Sequence, residues 1–103
     1  MGADPALVRM LRAGTDRGRD LDRSLEMLAQ VFGRARAARR LGEAFTCPEA
    51  NYVAWVLLAS GHEEAAVTWL DQHAASDDER DMHGATDFDA ARYLSRGRRA
   101  RRR

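Results

Sequence analysis

The sequence predicts an all-α fold: a small bundle of four or five short helices around a helical hairpin, with a flexible Arg-rich C-terminal tail. Three observations lead there. Apolar residues recur at spacings of three and four rather than alternating, as one face of a helix requires. Gly and Pro punctuate the 103-residue chain into segments of helical length. Side chains suited to helix caps precede several of those segments. The expected organisation is an N-terminal arm over residues 1–15, a helical domain over 16–95 centred on a hairpin at 46–75, and a basic tail over 96–103.

Each element has a local reason. A short helix is expected over Pro5 to Leu11, because Asp4 can accept from its first amide groups and Pro5 suits the first helical position. From Asp16 or Asp20 to Arg40, residues Leu21, Leu25, Leu28, Phe32 and Ala35 form one apolar stripe. Arg34, Arg36, Arg39 and Arg40 crowd its last turns, where each cation complements the negative helix end by about 0.3–1 kcal/mol. Gly42 is expected to supply a left-handed stop, and Gly33 to mark a bend.

Thr46-Cys47-Pro48-Glu49 is a capping box, so a helix should run from there to Ser60. Gly61 ends it. His62-Glu63-Glu64 then opens a helix continuing through Ala65, Ala66, Trp69 and Leu70 to about Ala75, its acids suited to a positive N-terminus. So short a turn makes the two helices a hairpin, with Val53, Val56, Leu57, Trp69 and Leu70 expected in the seam. The acidic stretch Ser76 to Gly84 reads as a loop or a frayed helix end. Thr86-Asp87-Phe88-Asp89 resembles a further cap, starting a last helix over 87–95 that runs out at Arg96-Gly97.

The core must be thin. Nineteen of the apolar residues are Ala, which bury little area each, and a chain of this length hides only about 60–68% of its unfolded surface. A large enzyme cleft does not fit such a body. Trp55 and Trp69 are then a large apolar payload, and the expectation is that the chain covers both rings only with help from a second surface. The opposing expectation is a monomer, in which Trp55 packs on the Leu21 to Phe32 stripe and Trp69 on the last helix.

Charge is segregated although the total is only +1. Residues 1–40 carry 9 Arg against 5 acids, residues 41–95 carry 2 Arg against 11 acids, and residues 96–103 carry 6 Arg. Arg96, Arg98, Arg99, Arg101, Arg102 and Arg103 could hold phosphates of a nucleic acid without reading its sequence, or lie on the acidic middle of a neighbouring chain. A sequence-reading helix-turn-helix is excluded, since the second hairpin helix would bring Glu63, Glu64 and Asp71 toward the major groove with no Arg.

The longest apolar run, Tyr52 to Ala59, has eight residues against the roughly 20 of a membrane span. No hydrophobic signal region opens the chain, and one cysteine cannot form an internal disulfide, so a cytoplasmic location is expected. Cys47 lies at a helix start, where amide groups favour a thiolate, but no His adjoins it in sequence. His73, Asp77 and Asp81 would share a face of a persisting helix, with His83 nearby, a donor set able to hold zinc or another transition metal. Acidic runs of this kind are ordinarily solvated surface, so neither a metal nor any other cofactor is expected. With no phosphate loop, nucleophile elbow or zinc-protease motif, the chain is not expected to be an enzyme.

Val56-Leu57, Gly61-His62, Ala65-Ala66 and Trp69 follow the spacing of a LisH-like hairpin, which this stretch resembles over about twenty residues. That resemblance implies dimerisation, although His62 stands where the hairpin usually has an aromatic. The longer stretch from Phe45-Thr46-Cys47 through Trp69-Leu70 and His73 to Asp81-Met82-His83 is similar to small uncharacterised proteins of actinobacteria and their phages. All 17 basic residues are Arg and there is no Ile, a bias of GC-rich coding that agrees with such a source. The functional expectation is a non-enzymatic accessory protein that self-associates or docks on a protein partner through Trp55, Val56, Trp69, Leu70 and Phe32. The alternative is a nucleic-acid-associated protein using its Arg-rich ends.

Overall fold

The computed structural model describes residues 4–76 and 88–101. They form five helices and, among the described residues, no strand: α1 (Pro5–Phe32), α2 (Ala35–Gly42), α3 (Cys47–Ala59), α4 (Glu63–Ala74) and α5 (Ala90–Arg101). This is the all-α bundle that the sequence predicts.

The N-terminal third departs from expectation. Asp4 does cap, its carboxylate accepting from the Ala6 amide at 3.0 Å, and Pro5 does sit in the first turn. The helix does not stop at Leu11, however, but runs unbroken for 28 residues, about 42 Å. Gly14 and Gly18 each weaken it by about 1 kcal/mol relative to Ala, yet neither removes a backbone hydrogen bond, so neither ends it. The separate short helix and the later one are a single element. The bend expected at Gly33 is instead the end of that element. A Cβ on Gly33 would stand 2.9 Å from the Cβ of Ala65, so only glycine lets the chain cross α4 here before α2 begins.

Gly42 is a second correction. The only positive φ among the described residues belongs to Gly61, so Gly42 is no left-handed stop. It is the last residue of α2, buried, and a Cβ on it would lie 3.0 Å from the Cα of His73. Its carbonyl accepts the Nδ1–H of buried His73 at 2.9 Å, tying α2 to α4.

The hairpin forms as expected. Thr46 Oγ1 accepts from the Glu49 amide at 3.3 Å and Glu49 Oε1 from the Thr46 amide at 2.9 Å, both halves of the capping box. These two bonds, the backbone one first, hold the Glu49 carboxyl below its ordinary value of 4.5. At the other end of α3, Gly61 adopts φ 87° while His62 donates to Leu57 O at 2.8 Å and Gly61 to Leu58 O at 3.1 Å. That pair of bonds is a Schellman closure, and it sets the direction in which α4 leaves.

α4 packs against every other helix. Trp69 and Leu70 are wholly enclosed at its centre, each with 0% exposure. The Trp69 ring meets Phe32 edge-on at 4.8 Å and Phe45 at 5.1 Å, and its Nε1–H donates to Ala50 O at 2.9 Å. The indole therefore has its apolar body packed and its one polar atom satisfied. Ala38, Ala50, Ala54 and Ala66 are also fully buried. Where the side chains are this small the backbones come close, so an Ala-rich chain builds a core that is thin but dense.

The last helix starts later and runs further than expected. Asp89 Oδ1 accepts from the Arg92 amide at 3.1 Å and acts as its cap, while Thr86 and Asp87 lie outside the described residues. Burial raises the carboxyl value of nearby Asp71; a hydrogen bond from the Ala90 amide opposes this and the Asp89 charge adds to it. α5 does not run out at Gly97. The ring of Trp55 lies directly over Gly97, where any Cβ would overlap it, so this glycine is a contact point. Residues 96–101 are consequently helical, not a loose tail, as suits arginine's helix propensity and the negative end of the helix dipole. Asn51 Nδ2 donates to Tyr93 Oη at 3.0 Å and fastens α3 to the same helix.

Candidate interaction surface

The five residues expected to bind a partner separate into two groups. Trp69 and Leu70 are enclosed within the single chain and offer no surface. The expected need for outside cover therefore fails for Trp69, whose ring packs against Phe32 and Phe45. Trp55 is half-buried and lies over Gly97 of α5, whereas the ring that meets Phe32 at the end of the α1 stripe is that of Trp69. Phe32 is half-buried: one edge of its ring meets Trp69, and its other side forms part of a groove. Val56 is 46% exposed, so it does not fill the hairpin seam.

That groove is the apolar surface the chain leaves open. It lies between α1 and α3, has a volume of about 270 Å³, and is lined by Leu28, Phe32, Tyr52, Val53, Val56 and Leu57, none of them charged. Tyr52 at 68% exposure and Val56 form its outer wall. α3 faces two ways: Ala50, Ala54, Leu57 and Leu58 turn toward the core, while Tyr52 and Val56 turn outward.

From the groove the apolar stripe continues along α1 away from the body. Leu28, Leu25, Leu21, Gly18, Gly14, Leu11 and Leu7 follow one another at spacings of three and four, on one face of the helix. Leu11 is 63% exposed, Leu21 59% and the neighbouring Met10 70%. Along 4–28 every residue is exposed except Val8 and Leu25, which are half-buried. The hydrogen bonds made by the side chains of Thr15 and Arg17 stay within α1, to Leu11 O at 2.9 Å and Ala13 O at 3.4 Å. The resulting protrusion accounts for a radius of gyration of 17.7 Å and a longest dimension of 65 Å, against about 13 Å expected for the radius of a compact chain of 100 residues. Sequence reasoning missed the outer part of this stripe by dividing the chain at Asp16. The signal is there to be read, since Gly14 and Gly18 keep the spacing of three and four between Leu11 and Leu21.

The C-terminal arginines lie elsewhere. Arg96, Arg98 and Arg99 are exposed on α5, Arg101 is its last residue, and Arg102 and Arg103 lie outside the described residues. His73 is buried between α2 and α4, with Nδ1 engaged by Gly42. Asp77, Asp81 and His83, its suggested companions in a metal site, lie outside the described residues. Among the described residues no three His, Cys, Asp or Glu side chains gather closely enough to hold a metal ion. Cys47 is half-buried in the first turn of α3. No helix among the described residues is long and apolar enough to cross a membrane. No protein family, curated protein or solved structure matches this chain.

Proposed function

We propose that this chain is a small non-enzymatic binding protein that self-associates through the apolar face of α1 and its continuation into the groove against α3. One observation carries the reading. The core closes around Trp69 without using the stripe from Leu7 to Leu28, which leaves a row of large aliphatic side chains in water beside Tyr52 and Val56. Contiguous exposed apolar surface on this scale is characteristic of an interface. A helical arm of about 20 residues containing two glycines is also poorly stable in isolation, because most helical stability in proteins comes from packing one face. Sedimentation equilibrium over a hundredfold concentration range tests the proposal. The mass should rise above 11.5 kDa with concentration. A constant monomer mass would overturn it.

A second reading, an accessory role on nucleic acid, is favoured by the exposure of Arg96, Arg98 and Arg99 on an ordered helix rather than a loose tail. Replacing these three by Gln should flatten the dependence of log affinity for duplex DNA on log salt by about 0.9 for each phosphate no longer neutralised. An unchanged slope would remove this reading.

A further inference from the structure

The stripe of α1 is symmetric about Asp16. Gly14 and Gly18 lie two residues to either side, Leu11 and Leu21 five, and Leu7 and Leu25 nine. A helix that pairs with a parallel copy of itself needs no such symmetry, because every position then meets its own counterpart. An antiparallel pair does need it. From this, and resting on the self-association proposed above, we infer that the partner is a second copy of this chain, its α1 laid antiparallel on the first about a two-fold axis at Asp16.

From residue 7 to residue 25 the pairing places like against like in each layer. Leu7 meets Leu25, Leu11 meets Leu21, and Gly14 meets Gly18, each from opposite chains, as an isologous two-fold contact demands. At the axis the glycines let the two backbones approach closely: a Cβ on either would meet nothing within 4 Å in the lone chain, so that space is open to the partner. The length also fits. Pro5, the first residue of α1, falls opposite Met27, two residues short of Ala29, the first buried residue of the helix. The partner helix thus covers the free arm and stops where the body begins, which puts the two bodies at opposite ends of the pair. Antiparallel helix dipoles attract side by side. Arg17 approaches its copy near the axis, with Asp20 of its own chain one turn away as countercharge. The first turn of the partner's α1 arrives beside Leu28, at the open end of the groove walled by Tyr52 and Val56.

Cysteine cross-linking in a Cys47→Ser background of the full chain reads the register. A disulfide requires Cα atoms within about 7 Å, whereas two copies of residue 7 in the antiparallel pair lie about 27 Å apart along the axis. Leu7→Cys and Leu25→Cys should therefore cross-link when mixed, and neither should do so alone. Cross-linking of Leu7→Cys with itself would overturn the antiparallel register while leaving self-association intact. A dimer by sedimentation that gives no cross-link in any combination would move the interface off this stripe. A monomer by sedimentation would overturn the pairing and the proposed function together. Leu21→Glu is a further check: the residue is exposed in the lone chain, so the variant should keep the denaturation midpoint of the body while its dissociation constant rises at least about a hundredfold. Unchanged association would overturn the inference.

Discussion

The body and the arm of this molecule use the same side chains in opposite ways. In the body, Leu57, Leu70 and Leu94 are enclosed, and four fully buried alanines bring the helices together around Trp69. In the arm, Leu7, Leu11 and Leu21 stand in water on a single helix. The body is complete within one chain, whereas the arm leaves its apolar face open. What separates them is the neighbour each helix face meets: the spacing of the apolar positions is helical in both. Hydrophobic pattern therefore marks an apolar face without saying whether the chain itself covers it.

The contrast breaks most forcefully at Trp69. Trp69→Ala should destabilise the body by about 3–5 kcal/mol, seen as a lower midpoint in chemical denaturation, because it empties the space between Phe32 and Phe45 and removes the indole bond to Ala50 O. A loss similar to that of an exposed arm leucine would erase the distinction between the two regions. A smaller effect, about 1–3 kcal/mol, is expected from Gly97→Leu, whose side chain needs the space of the Trp55 ring. The displaced indole should then show red-shifted emission; if stability and emission were both unchanged, α5 would not be fixed to α3 at this point.

Thr46→Ala should cost the body about 0.5–2 kcal/mol through loss of the cap on α3, with no direct effect on the arm. The other half of that cap gives a pH signature. The Glu49 carboxyl is held below 4.5 in the folded chain, so its contribution to stability is present above that value and lost as pH falls through the lower folded value. Asp71, raised by burial above 3.8, has the opposite sign: its contribution is complete below that value and declines as pH rises through the folded value. Denaturation midpoints of Glu49→Gln followed from neutral pH into the acid range should fall less steeply than those of the parent chain. A parallel fall in both would mean that the carboxylate contributes nothing.

What the sequence disclosed follows how local each cause is. The Thr46–Glu49 cap and the Gly61 turn depend on residues within a few positions, and both are read from four or five letters. The identity of the buried indole is not local. Trp55 and Trp69 both sit in helical patterns, and only the positions of Phe32, Phe45 and Gly97 decide which ring is enclosed. Gly42 and Gly97 mislead for the same reason: each looks like a helix stop, yet each touches a residue far along the chain, His73 for one and Trp55 for the other. The candidate surface is legible at Phe32 and Val56. The outer leucines are hidden by an assumed break near Asp16 that neither glycine produces, and Tyr52 is marked only by the packing of α3 on α1.

Hydrogen exchange followed as a function of protein concentration tests the division between body and arm most directly. Amides of α3 and α4 should exchange at rates independent of concentration, while those from Leu11 to Leu25 should be protected in concentrated solution and lose that protection on dilution, as the paired arms separate. Arm protection that stays the same across the dilution series would contradict the account, whether it is uniformly high or uniformly absent.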